Sequence, residues 1–257
     1  MVTAARPPLS AVIITRNAAS QLSECLESLD FCDEILVVDS GSEDGSVELA
    51  RARGARVIES EWRGFGPQKQ FAVEQAAHDW VLCVDADERV TPELRSAIEM
   101  ALASSSHSAY RFPRRNRFLG RYLRHGEGYP DWSLRLFDRR RARWSDDAVH
   151  EKVVTDAAVG TLEGDLLHDS AETLDAYLAK QDRYTTLAAQ QAFAAGRSSG
   201  AARMLLSPLF RFFKFYFFRL GFLDGLPGLA HILIGCGNSY AKYAKMLDLQ
   251  KRSDASL

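Results

Sequence analysis

Short apolar runs alternate with segments of helical periodicity over the first hundred residues. Four runs, Ser10–Thr15, Glu34–Asp39, Ala55–Glu59 and Trp80–Val84, are rich in β-branched and other apolar residues, which predicts buried strands. The segments between them repeat apolar residues every three or four positions, and Ser20 is the expected N-cap of the first helix. This alternation predicts βαβ units and an α/β fold with a doubly wound, mostly parallel sheet.

Polar side chains stand at the ends of three of these runs. Thr15 ends the first, Asp39 the second, and Asp85 and Asp87 follow the fourth. The carboxyl ends of parallel strands border one crevice, so these groups are expected to meet there. Two carboxylates so close together repel unless a cation lies between them, which favours a divalent metal site. The alternative is an Asp-rich turn that caps a helix beginning near Thr91.

Two nucleotide-binding motifs are absent from the chain, which limits the kinds of ligand it is expected to bind. No G-x-G-x-x-G follows the first strand and no G-x-x-x-x-G-K-[ST] occurs, which excludes the dinucleotide and P-loop fingerprints. Asp39 is placed to accept hydrogen bonds from a base or a ribose. Arg16 and Lys69 are candidates for phosphate contacts, with solvated charges as the alternative.

Composition excludes several other classes of protein. The net charge of −2 gives no argument for nucleic acid as a partner. The four cysteines show no C-x-x-C spacing and are expected to be reduced core residues. Met1–Pro8 has no apolar core of a signal peptide, and no uncharged apolar run reaches the length of a membrane span.

A basic stretch occupies residues 113–125. It contains Arg114, Arg115, Arg117, Arg121 and Arg124, with aromatic residues and His125 between them. A solvated face and a surface for an acidic partner, such as a lipid phosphate, a sugar phosphate or the donor diphosphate, are both consistent with it. Nucleic acid is disfavoured because the rest of the chain offsets the charge.

Three motifs together carry a resemblance to a known family. Val12-Ile-Ile-Thr-Arg-Asn17, Val37-Val-Asp-Ser-Gly-Ser-Glu-Asp-Gly45 and Val84-Asp-Ala-Asp-Glu88 resemble, in order and spacing, glycosyltransferase family 2. These are inverting nucleotide-sugar transferases with a GT-A fold, and the match covers about residues 9 to 155. The resemblance implies a nucleotide pocket lined by Thr15 and Asn17, a base held by Asp39, and a metal–diphosphate site at Asp85 and Asp87.

Other segments resemble the lipopolysaccharide-core branch of that family. Gly64–Gln70 is similar to its lysine-bearing segment, which implies that Lys69 contacts the donor, and Arg135 is assigned to the same site. The general base is then Asp131, before the leucine–arginine strand, or Glu151, in a Val-His-Glu segment. The chain lacks the family's usual Glu-Asp pair at Asp131. His150 is expected at the diphosphate or the metal.

The metal expected by this resemblance is Mg²⁺ or Mn²⁺. Asp87 is the leading ligand, Asp85 faces the ribose or a metal-bound water, and Glu88 is a helix-entry residue or lies behind the ligands. His168 is a further candidate ligand.

The last third of the chain is helical in pattern. Residues 203–222 contain eight aromatic residues and form a broad apolar face, and Arg203, Arg211 and Lys214 cluster opposite. Charges near the bilayer centre disfavour spanning, so the pattern predicts a helix lying in the membrane interface. The alternative is a buried helix. Gly221–Gly228 is predicted to be a turn before a last helix at about Leu229–Leu249.

The sequence therefore predicts a GT-A domain at 1–168 and a helical, membrane-associating region at 169–257. The expected activity is metal-dependent, inverting transfer of a hexose from a nucleotide sugar, UDP-linked, to a lipid-carried saccharide such as lipopolysaccharide core. The expected location is peripheral, on the cytoplasmic face of the inner membrane. The alternatives are a sugar-nucleotide nucleotidyltransferase and a non-catalytic, membrane-bound nucleotide-sugar-binding protein.

Overall fold

The structure is a computed structural model that describes residues 6–104, 106–146, 151–170 and 173–254. The chain divides into two compact units. The first comprises Met1–Arg115 and Asp131–Asp169, and the second comprises Asn116–Pro130 and Ser170–Leu257. A short internal segment therefore belongs, through its contacts, to the same unit as the C-terminal helices.

The first four strands follow the predicted apolar runs. They are β1 (Leu9–Thr15), β2 (Glu34–Asp39), β3 (Arg56–Glu59) and β4 (Trp80–Asp85). β1 pairs in parallel with β2 and β4, and β2 pairs in parallel with β3. The apolar side chains of β1, β2 and β4 are mostly buried, because helices cover both faces of such a sheet, whereas those of β3 at the edge are half-buried. The predicted α/β fold with a parallel sheet is confirmed.

Four helices connect and flank these strands. They are α1 (Ala19–Glu27), α2 (Ser46–Ala52), α3 (Phe65–Gln75) and α4 (Pro92–Ser104). The prediction that Ser20 caps the first helix is wrong, because Ser20 lies inside α1 and Ala18 is the cap residue. The side chain of Ser46 accepts the N–H of Ala18 instead, which ties the start of α1 to the start of α2.

Most of the remaining strands extend the sheet in mixed orientation, and Ala142–Trp144 and Val153–Thr155 form a separate two-stranded sheet. They are β5 (Glu88–Val90), β6 (Ala109–Phe118), β7 (Arg121–Tyr122), β8 (Asp131–Asp138), β9 (Ala142–Trp144), β10 (Val153–Thr155), β11 (Val159–Thr161) and β12 (Leu166–His168). β8 pairs antiparallel with both β4 and β6, and β12 pairs antiparallel with β5. Glu88 begins β5, so its expected place at a helix entry is wrong.

The strand order is β3-β2-β1-β4-β8-β6-β12-β5. The order reverses direction at β1, so the switch point of the parallel half lies between β1 and β4. Ligands of open α/β sheets bind beyond the carboxyl ends of the strands at such a point. The ends of β1 and β4 are Thr15 and Asp85, two of the residues singled out in the sequence.

The second unit consists of helices and a hairpin. α5 (Leu174–Ala194) begins at Thr173, whose side chain accepts the Ala176 N–H. α6 (Ala201–Phe213) continues as a π-helical turn, Lys214–Phe218, and Gly221–Asp224 is a 3-10 turn. α7 is Gly225–Asp254, so the predicted turn at Gly221–Gly228 is correct only in its first half.

Among the described residues, no single helix has the length and apolar character of a membrane span. One pair, Ala201–Phe218 with Gly221–Ser253, meets both criteria together but is bent by 75° at the break.

Candidate active site

The ends of β1 and β2 are joined by the side chains of Thr15 and Asp39. The hydroxyl of Thr15 donates to Oδ2 of Asp39 at 2.9 Å, and both residues are buried. Oδ1 of Asp39 accepts the backbone N–H groups of Gly41 and Ser42, and Oδ2 also accepts the Ser42 hydroxyl. Asp39 therefore orders the loop after β2, and its predicted contact with a nucleotide base stays a prediction.

Asn17 organises the same loop from the other side. Its backbone is left-handed, with φ of 53°, a conformation that asparagine tolerates better than most residues. Its N–H donates to the Ser42 hydroxyl at 2.8 Å, and its side-chain oxygen accepts the N–H of Glu43 at 2.9 Å. Arg16, next to it, is exposed. Both side chains thus lie at the mouth of the crevice, and their contacts with a donor stay predictions.

Asp85 at the end of β4 is held by two cationic side chains. Nζ of Lys69 lies 3.0 Å from Oδ1, and Nη2 of Arg135 lies 2.9 Å from Oδ2. Burial acts to raise the pKa of Asp85, but the charges of Arg135 and Lys69 outweigh it and lower that pKa well below its usual range. Burial acts against the charge of Arg135, yet Asp85 and Glu88 raise the pKa of the guanidinium.

Glu88 is the fully buried centre of this charge cluster. Its Oε2 accepts the backbone N–H of Asp85 at 2.9 Å. Its Oε1 lies 3.3 Å from Nη2 of Arg135 and 3.4 Å from Nη1 of Arg114. Arg114 in turn donates to Oδ2 of Asp131 through Nε at 2.9 Å and Nη2 at 2.7 Å. One buried carboxylate therefore connects Asp85 to Asp131, the first candidate for the general base.

Glu151, the second candidate for the base, contacts the cluster through Lys69. Its Oε1 lies 3.3 Å from Nζ of Lys69, so Lys69 bridges Glu151 and Asp85. The ring of Trp144 lies 4.8 Å from that Nζ and 5.4 Å from the Arg135 guanidinium. Cation–π contact with one buried indole thus fixes both cations.

A small cavity adjoins these groups. It has a volume of about 10 Å³ and is lined by Lys69, Asp85, Arg135 and apolar residues of β1, α3 and β4. Nη1 of Arg135 is buried without a hydrogen-bond partner among the described residues. The cavity is close to the size that one water molecule needs.

Asp87 and His168 come together where β12 pairs with β5. Asp87 lies in the turn between β4 and β5, and the pairing of β12 with β5 places His168 opposite Glu88. Nε2 of His168 lies 3.1 Å from Oδ2 of Asp87. The N–H of Asp169 also donates to the backbone oxygen of Asp87, which fixes the turn. The two residues are 81 positions apart in the chain, and only strand pairing unites them.

This pair fits part of a divalent metal site. A carboxylate oxygen and an imidazole nitrogen are both ligands of Mn²⁺ and related ions, which take further oxygen ligands from phosphates and water. Within the described residues no group of three or more His, Cys, Asp or Glu side chains is arranged to hold a metal. Asp85, the other expected ligand, contacts Lys69 and Arg135, and its role as a metal ligand stays a prediction. The expected ligand His150 lies outside the described residues.

Comparisons with known proteins identify the family to which the chain belongs. The family model described as "Glycosyl transferase family 2" matches residues 10–160. The lipopolysaccharide core biosynthesis glycosyltransferase LpsC of Rhizobium meliloti (strain 1021) is 32% identical over 252 residues, which are 92% of this chain and 93% of LpsC. The chain belongs to glycosyltransferase family 2. Its predicted membership, its GT-A fold and its standing as a glycosyltransferase are confirmed.

Other family members and solved structures are more distant. An uncharacterized glycosyltransferase of Rickettsia bellii (strain RML369-C) is 28% identical over 94% of this chain and 86% of its own. The structure of S. aureus TarS 1-349 in complex with UDP is 14% identical, with a TM-score of 0.49, over 95% of this chain and 91% of that one. Glucosyl-3-phosphoglycerate synthase from Mycobacterium tuberculosis, with Mn²⁺ and UDP bound, has a TM-score of 0.37 and 23% identity over 43% and 44%.

The sequence does not predict the contacts of three residues in this candidate site. Arg114 was one of several arginines in a basic stretch, and nothing local marks it as the partner of Asp131, 17 residues later. Trp144 stands on a short strand without a motif. Glu88 was noticed beside Asp87, but its burial could not be read from an acidic run. Strand pairing is the signal that would have revealed each contact.

Proposed function

We propose that this chain is an inverting, metal-dependent glycosyltransferase that moves a hexose from a UDP-linked sugar to a lipid-carried saccharide such as lipopolysaccharide core. The observation that carries the proposal is that Lys69 and Arg135 both contact Asp85 at the end of β4, while Asp87, two residues further along the chain, pairs with His168. Two fixed cations and a partial metal site together match the charge of a nucleoside diphosphate.

In this proposal the cationic side chains bind the donor. Lys69 and Arg135, fixed by Asp85 and Trp144, face the diphosphate, and Thr15, Asn17 and Asp39 hold the nucleoside end with Arg16 at the rim. Asp87 and His168 hold the metal, which, when bound, stabilises charge on the leaving diphosphate. Asp85 positions the two cations and does not ligate the metal.

We assign the general base to Asp131. An inverting transfer needs one carboxylate to remove the proton of the acceptor hydroxyl as that oxygen attacks the anomeric carbon. The side chain of Asp131 is 39% exposed, against 22% for Glu151, so an incoming acceptor reaches it more readily. The Arg114 fork fixes the direction of its carboxylate. Glu151 positions Lys69.

The lipid-carried acceptor and the peripheral membrane location are supported by the second unit. α6 has no buried residue, and Leu206 and Phe210 on it are 62% and 72% exposed. An exposed apolar helix face of this extent marks an interaction surface, and the basic residues beside it favour an anionic membrane. We place this surface, residues 203–222, on the cytoplasmic face of the inner membrane.

The test is a UDP-release assay on a panel of sugar nucleotides, with and without a lipid A–core acceptor. Release that depends on both donor and acceptor, is abolished by chelator and is restored by Mn²⁺ is the expected result. Asp87→Ala should lose donor hydrolysis and transfer while keeping its circular dichroism spectrum, and Asp30→Ala, an exposed aspartate, should keep both activities.

Three results would contradict the proposal. Wild-type activity in the presence of chelator would show that transfer does not depend on a metal. Binding of sugar nucleotides without UDP release under any condition favours the non-catalytic protein, and pyrophosphate production from a sugar phosphate and a nucleoside triphosphate favours the nucleotidyltransferase.

A further inference from the structure

The helical unit exposes a continuous apolar turn between α6 and α7. Phe218, Leu223 and Leu226 are 83%, 48% and 74% exposed, and Leu220 and Phe222 beside them are more than two-fifths exposed. The turn begins with the π-helical segment Lys214–Phe218 and includes Leu220 in the left-handed region, with φ of 55°. Large apolar side chains at the apex of a helical turn are costly in water and require a partner.

The basic hairpin of the same unit, residues 116–130, is fastened to this turn. The backbone N–H groups of Arg124 and His125 donate to Oδ2 of Asp224 at 2.9 and 2.7 Å. Asp224 is 1% exposed, and its Oδ1 lies 3.6 Å from Nε of Arg121. A second oxygen of the turn, the carbonyl of Leu223, accepts Nη2 of Arg121 at 3.1 Å.

A second set of contacts joins the far end of the hairpin to the start of the turn. The N–H of Gly126 donates to the carbonyl of Arg219 at 2.8 Å, and Nη2 of Arg219 donates to the carbonyl of Tyr129 at 3.0 Å. Gly126 packs so tightly against Gly221 and Ile232 that a Cβ on it would lie 3.2 to 3.3 Å from their atoms. The hairpin and the turn are therefore built as one surface.

Three exposed arginines belong to this joined surface as a result. Arg219 lies in the turn itself, Arg121 is attached to the turn by its side chain and Arg124 by its backbone. A patch of this kind has an apolar centre and hydrogen-bond donors at its edge, and the carboxylate of Asp224 within it is buried. Lipid acyl chains suit the apolar centre, and lipid phosphate groups suit the hydrogen-bond donors at the edge.

We infer that the turn Phe217–Leu226 and the hairpin arginines Arg121 and Arg124 form one binding surface for an anionic phospholipid bilayer, with the turn in the acyl region and the arginines at the phosphates. The inference deepens the proposed membrane association, which rested on residues 203–222 alone. It rests on that proposal and adds to that surface the hairpin and the apex of the turn.

The experiment is co-sedimentation of the full chain with phosphatidylcholine vesicles that contain 0 or about 30 mol% phosphatidylglycerol. Wild type should prefer the anionic vesicles, and high salt should weaken the preference. Arg121→Gln with Arg124→Gln should weaken anionic binding about 30-fold, since each basic residue near an anionic surface contributes about fivefold. Arg124→Gln alone, which leaves the backbone contact with Asp224 intact, should weaken it about fivefold.

Matched controls separate the surface from general effects of charge and apolarity. Lys251→Gln with Arg252→Gln removes the same charge at the far end of α7, about 40 Å along the helix from the turn, and should have little effect. Phe218→Ser with Leu226→Ser should reduce binding to both kinds of vesicle, whereas Met100→Ser, an equally exposed residue of α4, should not. Thermal unfolding verifies that each variant is folded.

The inference is overturned if wild type does not prefer anionic vesicles or if the Arg121 and Arg124 variants bind them like wild type. It is also overturned if the apolar variants lose self-association in size-exclusion chromatography while vesicle binding is unchanged, because a second copy then covers the turn. Vesicle binding needs no catalysis, so a chain that releases no UDP but passes these tests refutes only the proposed transfer.

Discussion

Oε1 of Glu88 lies 3.3 Å from Nη2 of Arg135, and both groups are removed from solvent. The pair joins two strands that are far apart in the sheet order, since Glu88 is on β5 and Arg135 on β8. It also joins the two halves of the proposed reaction. Arg135 also contacts Asp85, at the proposed donor site. Glu88 also contacts Arg114, which binds Asp131, the proposed base.

Glu88→Gln should destabilise the protein by about 3 kcal/mol. The substitution keeps the shape of the side chain but leaves Arg135 and Arg114 without their buried counter-charge, and removing one partner of a buried ion pair has this order of cost. Urea unfolding monitored by circular dichroism measures the change. Glu93→Gln, on the exposed first turn of α4, should change the unfolding free energy by less than about 0.5 kcal/mol.

The stability of the cluster should fall in acid through Asp85. Because the pKa of Asp85 is lowered on folding, its carboxylate stabilises the folded state fully above its unfolded pKa of about 3.9, and the contribution declines as pH falls below that value. The difference in unfolding free energy between wild type and Asp85→Asn should therefore be largest at neutral pH and shrink below about pH 4. A difference that is constant from pH 7 to pH 3 would contradict the assignment.

Kinetics of two carboxylate variants should distinguish the base from a positioning residue. Asp131→Asn should lower kcat about 100-fold or more with little change in the donor KM, because it removes the group that accepts the proton. Glu151→Gln should act mainly on the donor KM, because Glu151 contacts Lys69. The reverse pattern would assign proton removal to Glu151.

Asp224→Asn should loosen the hairpin of the helical unit. Asp224 is buried and accepts two backbone N–H groups of the hairpin, so loss of its charge should cost about 1 to 3 kcal/mol. Limited proteolysis should then cut within residues 116–130 faster than in wild type. Asp248→Asn, an exposed residue on α7, serves as the control and should leave the cleavage rate unchanged.

The parallel half of the sheet could be predicted closely because its strands are buried on both faces. Buried strands of this kind are continuous apolar runs, and β2 and β4 begin where the runs begin. The antiparallel half left weaker traces. β5, β9 and β12 are three residues each, too short for a pattern, yet they bring Trp144 and His168 to the site.

The candidate site could be predicted by residue type but not by partner. Lys69, Asp85, Arg135 and Glu151 were all singled out, and they do meet. The sequence favours a metal at the carboxylates, and that stays a prediction. The structure adds the lysine and arginine side chains on Asp85, which the motif does not predict because their contacts depend on strand register.

The apolar helix at 203–222 shows a similar limit. Its exposed aromatic face follows from its periodicity, but Arg211, expected on the outer basic edge, forms an ion pair with Glu127 of the hairpin. Burial lowers the pKa of this arginine. The hairpin lies more than 80 residues earlier in the chain, so only the folded structure shows that it belongs with the helices.

The position of that hairpin governs how the protein can be divided for study. A fragment that ends at residue 169 retains residues 116–130 but lacks Asp224 and Ile232, which contact them. The backbone N–H groups of Arg124 and His125 then lose their acceptor. A single stop codon therefore produces a damaged piece. A sound dissection requires two edits, removal of the helices and replacement of the hairpin by a short link between β6 and β8.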